Sequence, residues 1–135
     1  MTAVTAPEKV WAEACEAATV AWKATEPTPI VVYTPKGLFD DTPDLEKPVY
    51  HHSEGVCGFG WIVIEDGRTS FARWLKKHDI GNQSAYYGGR VVWSSYLVPE
   101  DRASQSLARK EAAVGAAVEV LRKAGIQARA MSRMD

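Results

Sequence analysis

At 135 residues, with 46 % hydrophobic and 24 % charged side chains, the chain has the size and balance of one domain that can bury a core unaided. No apolar run approaches the roughly 20 residues a membrane span requires, and a net charge of −1 lacks the strongly basic balance that phosphate-backbone binding favours. Two cysteines are too few for a disulfide framework and have no zinc-site spacing, so they read as reduced thiols.

In chain order, Met1-Thr2-Ala3-Val4-Thr5 lacks the basic and apolar regions of a secretory leader, which predicts a cytosolic protein. Thr5-Ala6-Pro7-Glu8 reads as a capping box with proline in the first helical turn. The helix it opens runs to about Thr25, with Trp11, Cys15, Ala18 and Trp22 as its apolar stripe and Ala14 and Ala21 beside it. Glu26-Pro27-Thr28-Pro29 stops it, and Ile30-Val31-Val32-Tyr33 reads as a short strand. From Pro35 to Gly55 three prolines, several acids and no period predict a long loop. Its 38–54 part is expected to act as a lid or arm.

Val56-Cys57-Gly58-Phe59-Gly60-Trp61-Ile62-Val63-Ile64 is the strongest strand signal. Cys57 shares its alternation with Phe59, Trp61 and Val63, which predicts a core cysteine. Thr69 or Ser70 caps a short helix with Phe71, Trp74 and Leu75 on its apolar face, and Gly81 and Asn82 lie in the connection after it. Tyr86-Tyr87-Gly88-Gly89-Arg90-Val91-Val92-Trp93 opens a second strand, expected over residues 87–97 and stopped by Pro99. Parity groups Trp93 with Val91 and Leu97 on a buried side and leaves Arg90 and Tyr96 on the other. Glu100 and Asp101 favour a helix start, Leu107, Val114, Val118 and Leu121 line that helix, and Gly125 ends it. Residues 126–131 form a last strand. The order α-β-loop-β-α-β-α-β predicts one α+β domain over residues 1–135: a two-layer sandwich of about three helices on a mixed three- to four-stranded sheet.

Charge is unevenly spread. Residues 1–66 hold 11 acids and 4 lysines, a balance of −7, while residues 67–135 hold 12 basic and 6 acidic side chains, +6. Solvated faces that cancel on folding explain this most simply; an anionic partner, two halves facing each other, or protomers packing head to tail are the functional alternatives.

The motifs Val56-Cys57-Gly58-Phe59-Gly60-Trp61, Phe71-Ala72-Arg73-Trp74-Leu75-Lys76-Lys77 and Tyr86-Tyr87-Gly88-Gly89, then Gln105-Ser106 with Arg109-Lys110 and the ending Ser132-Arg133-Met134-Asp135, resemble a group of small tailed-bacteriophage proteins of unknown function. The resemblance covers roughly residues 30–135. It implies a phage gene product working in the bacterial host cytoplasm, and it carries no catalytic residues over.

For chemistry, His51 and His52 followed by Cys57 are the one crowding of base and nucleophile, and they make an enzyme only if the loop folds back to bring imidazole to thiol. Asp40, Asp41, Asp44 and Glu46 lack the glycine and terminal glutamate of a calcium loop, and Gly58-Phe59-Gly60 runs into strand rather than opening a helix. No metal site or cofactor is predicted. The expectation is a non-enzymatic binding module engaging a host protein or a small ligand, as a homo-oligomer, through Tyr86, Tyr87, Gly88, Arg90 and Trp93. The alternatives are a minor virion component, a nucleic-acid-binding domain with Arg90, Trp93 and Tyr96 near Arg129 and Arg133 if the last two strands pair, and the Cys/His enzyme.

Overall fold

In the computed structural model, which describes residues 6–84 and 89–135, three helices pack on a four-stranded antiparallel sheet, and a separate ribbon projects from them. The α+β class expected from the sequence is the one observed.

Helix α1 spans Pro7–Ala24. Its N-cap is Ala6, which supplies no side-chain cap, and Thr5 lies outside the described residues. Val10, Ala14, Ala18 and Trp22 form its buried stripe, leaving Trp11 and Cys15 half-buried at the margin. The ribbon follows. Strand β1 (Ile30–Val32) pairs with β4 (Tyr50–His52), and between them β2 (Pro35–Gly37) pairs with β3 (Asp40–Pro43), all antiparallel. The segment expected to be a loop is thus a nested hairpin arm. No period announced it because an arm that pairs only with itself has no core face to mark with alternating apolar residues.

The body runs β5 (Gly58–Ile64), α2 (Ser70–Lys77), β6 (Asn82–Gln83), β7 (Arg90–Trp93), α3 (Leu107–Lys123) and β8 (Ala128–Met134). Thr69 caps α2, its hydroxyl accepting the Ala72 amide at 3.2 Å, and Ser106 caps α3 by accepting the Arg109 amide at 3.3 Å. Gly125 follows α3 with φ +85°, the left-handed turn expected of it. Glu100 and Asp101 belong not to α3 but to a 3₁₀ turn, Pro99–Ala103. The second strand is also shorter than its apolar run suggests, since the chain leaves the sheet after Trp93 into another 3₁₀ turn, Ser94–Tyr96.

Strand order is β6-β7-β5-β8, and every pairing is antiparallel, where a mixed sheet was expected. The reason lies in the crossovers. Helix α2 connects β5 to β6, and α3 connects β7 to β8, each joining strands of the same direction as crossover helices do. Each crossover skips one position, however, and an antiparallel strand fills it: β7 between β5 and β6, β5 between β7 and β8. The result is the split β-α-β-β-α-β arrangement.

One sheet face is covered. Ile62, Ile64, Val92 and Ala128 share a core with Phe71 and Leu75 of α2, Val114 and Leu121 of α3, and Trp22 of α1. Alanines at 14, 18, 113 and 117, all fully buried, let α1 and α3 approach closely. Among the described residues no helix covers the opposite face.

Candidate binding face and slot

Strand alternation decides what that uncovered face carries. Gly58 and Gly60 point toward α3, where a Cβ on Gly58 would come within 2.7 Å of Leu107 and one on Gly60 within 3.2 Å of Lys110. Phe59 and Trp61 therefore point the other way. The ladder sets Trp93 of β7 opposite Trp61, while Arg133 and Met131 of β8 stand opposite Phe59 and Trp61, and Arg129 opposite Val63. Residues directly opposite share a face, so the open side carries three aromatic rings on the two central strands with two arginines along one edge. Trp61 and Trp93 are tilted with centroids 5.2 Å apart, Phe59 stands edge-on to Trp93 at 6.5 Å, and the Arg133 guanidinium lies 5.4 Å from the Phe59 ring centre. Arg129 is paired with Glu65.

A slot of about 320 Å³ opens at the end of this face. Pairing of β5 with β7 stops at Trp61 and Trp93, and beyond the gap β5 is rejoined by Gly58, whose amide donates to Gln105 O at 3.0 Å. Between these two closures lie Phe59 and Gly60. At the floor are Lys110 and Asp101, each only 6 % exposed, with Lys110 Nζ 3.6 Å from Asp101 Oδ1 and Ser94 Oγ donating to Asp101 Oδ2 at 2.6 Å. The ammonium also faces the Phe59 ring at 5.8 Å. No family model, curated protein or solved structure matches this chain. The site is accordingly read from its own residues.

Of the residues singled out from sequence, Trp93 lies on the open face and lines the slot. Arg90 does not join it. It is buried on the helix side, where Nε donates to Ile80 O at 2.6 Å and Nη2 to Gly81 O at 3.1 Å, tying β7 to the turn before β6. The parity expected for this strand is thus inverted: Arg90 and Val92 face the helices, Val91 and Trp93 the open side. A run apolar on both faces gives alternation no sign. Tyr86, Tyr87 and Gly88 lie outside the described residues.

Cys57 is exposed rather than in the core, because its alternation with Phe59 and Trp61 follows the uncovered face. His51 sits in the arm opposite Val31. Among the described residues no hydrogen bond joins His51 to Cys57, and the side chain of His52, the other candidate base, lies outside the description. Cys15 is the more buried thiol, and burial pushes its pKa up to about 11. Asp40 in the arm is held below the usual carboxylate range by the Thr42 hydroxyl, which donates to it. Among the described residues no three histidine, cysteine, aspartate or glutamate side chains gather in a metal-binding group.

Sequence reasoning did not single out Phe59, Trp61, Asp101 or Lys110 as site residues. A signal existed for the first two: glycines alternating with aromatics in one strand mean that the helix rests on the glycines and the rings face away. Asp101 and Lys110 meet only through tertiary structure.

Proposed function

We infer that the chain is a non-enzymatic binding module whose open sheet face holds single-stranded nucleic acid. The observation that carries this is the pair Trp61 and Trp93 side by side on the central strands, with Arg129 and Arg133 on the same face. Bases stack on aromatic rings displayed by an antiparallel sheet, and arginines beside them meet the phosphates. The acidic overall balance is no obstacle, since many of the acids fall in α1 and the arm. An accessory role in a phage-infected bacterial cytoplasm fits the motif resemblance. Titrating the protein with a fluorescent single-stranded decamer tests the reading. Binding should quench tryptophan fluorescence, and Trp61→Ala or Trp93→Ala should each weaken it by about 1–3 kcal/mol. Full affinity in the double variant would sink the proposal.

A second reading rests on the arm, whose tip residues Leu38 and Phe39 are almost wholly exposed, at 95 % and 102 %. In it the partner is a second copy of this chain, its tip seated in an apolar groove of about 470 Å³ that includes Cys15, Thr19, Val20, Tyr96 and Leu97. Light scattering after size exclusion decides it. An oligomer that the double change Leu38→Ser, Phe39→Ser converts to monomer supports this reading, and a monomeric parent protein removes it.

A further inference from the structure

We propose that the slot at the end of the aromatic face seats one unpaired base of the strand by its pairing edge, accepts any of the four bases there, and so ties binding to single strands without reading their sequence. The inference deepens the nucleic-acid reading above and rests on it. Three features of the slot converge.

The first is the buried pair at its floor. Lys110 and Asp101 are each 6 % exposed, and both line the slot. Lys110 Nζ stands 3.6 Å from Asp101 Oδ1, a loose ion pair, and makes no hydrogen bond among the described residues. An ammonium has three donors, so donor capacity remains for an acceptor entering the slot. Asp101 receives Ser94 on one oxygen and faces Lys110 with the other, and each carboxylate oxygen has a second lone pair. Burying a charged pair with donors and lone pairs unmet is costly, so an occupant that brings an acceptor next to a donor stabilises both.

The second is charge. The pair is neutral as a whole, so a phosphate or carboxylate gains little there: its attraction to Lys110 is offset by repulsion from Asp101. A neutral group with an acceptor for Lys110 and a donor for Asp101 is complementary to both. Every base carries that combination on its pairing edge: O4 beside N3–H in thymine, O6 beside N1–H in guanine, N1 beside the 6-amino group in adenine, N3 beside the 4-amino group in cytosine. The order of acceptor and donor is reversed between the keto and the amino bases, and turning the ring over restores the match. No base is preferred on this ground. In a duplex the same edge is consumed by pairing, so only an unpaired base can enter.

The third is the wall. Phe59 and Trp93 line the slot and are also part of the open face, with their ring planes 76° apart. A flat ring laid on one of them meets the other edge-on, and both are favourable aromatic contacts. The Trp61 ring lies 5.2 Å from that of Trp93, so the next base of the strand stacks on the open face while the first sits in the slot. Holding an extruded base by its pairing edge while aromatic side chains pack on its ring is the arrangement that base-flipping proteins use.

The test compares the affinities of the full chain, at one salt concentration, for an oligo-dT decamer and the same strand built from N3-methylthymidine, and for oligo-dA and the same strand built from N6,N6-dimethyldeoxyadenosine. Each methylation removes the donor from the pairing edge and leaves the ring and its stacking faces. A loss of at least about tenfold in both comparisons, the size of one good base contact, is the expected result. The double variant Lys110→Met, Asp101→Leu, which replaces the buried pair by apolar side chains, should bind plain and methylated strands alike. Should that variant not fold, amide chemical-shift mapping of the parent protein decides instead: free thymidine should move Gly60, Ser94 and Ser95 where N3-methylthymidine does not. Equal affinity of the parent protein for plain and methylated strands overturns the slot and leaves the stacking face standing. A loss with one base alone overturns its acceptance of all four. Binding of none overturns both slot and face. Displacement of thymidine by inorganic phosphate or by deoxyribose overturns the slot in favour of an anion or a sugar site.

Discussion

Gly60 sits where α3 rests against its Cα and where the chain borders the slot. A Cβ there would lie 3.2 Å from both the Lys110 Cβ and the Lys110 carbonyl oxygen, and the backbone of a packed helix yields little. Gly60→Val should destabilise the fold by about 1–3 kcal/mol, read as a lower urea midpoint with an unchanged slope. The two thiols separate on the same reasoning. Cys57 is exposed, whereas Cys15 ionises only near pH 11. A disulfide reagent at pH 8 should therefore modify one thiol per native chain quickly and the second only in denaturant, and Cys57→Ser should abolish the fast phase. Linkage gives the sign of the pH effect. Because folding raises the Cys15 pKa from 9.0 to about 11, the unfolded chain loses its proton first. Stability from this group is intact below pH 9 and falls as pH rises from 9 toward 11. Cys15→Ala should flatten that decline. The sequence set Cys15 in the buried stripe of α1, at whose margin it stands half-buried, and misassigned Cys57 to the core, because alternation tells which residues share a face and not which face is covered.

Elements differ in how much of their structure is local. Helix α2 is written in its own residues: the Thr69 cap, the apolar Phe71 and Leu75, and Lys76 and Lys77 in the last turn, where cations suit the helix dipole. Thr69→Ala should cost about 1 kcal/mol, measured by thermal or urea unfolding. The arm is the opposite case. Its strands form by pairing with one another, and its ends are already together, since a Cβ on Gly55 would touch Thr28 O at 2.5 Å and Ile30 stands opposite His52. Replacing residues 31–51 by a short glycine-serine turn should leave the melting temperature within a few degrees of the parent value, because little loop-closure entropy changes and no core residue leaves. Loss of cooperative unfolding would show that the arm is part of the core. Its foot is fastened separately, by Glu54 accepting from Ser104 Oγ at 3.1 Å and pairing with Arg109 at 3.2 Å.

At the scale of the whole molecule, the charge division between the two halves of the chain places many of the acids on α1 and the arm, and Arg129 and Arg133 beside the aromatic rings. With two arginines on the proposed binding face, the affinity for single strands should fall with salt at a logarithmic slope no steeper than about −1.4, two contacts at ~0.7 each. A slope of several units would mean that phosphates are held elsewhere. The α+β class, helices α1 and α2, the body and end of α3, and the core of β5 were determined by the sequence itself, because caps, helix stops and apolar periodicity are short-range signals that each segment carries whole; the start of α3 and the bounds of β8 were not. Strand order, the antiparallel pairing, the early departure of β7 from the sheet and the identity of the uncovered face were decided only by tertiary structure. Those depend on which strand fills the place a crossover skips, and the local pattern of a strand apolar on both sides is the same whichever side the helices cover.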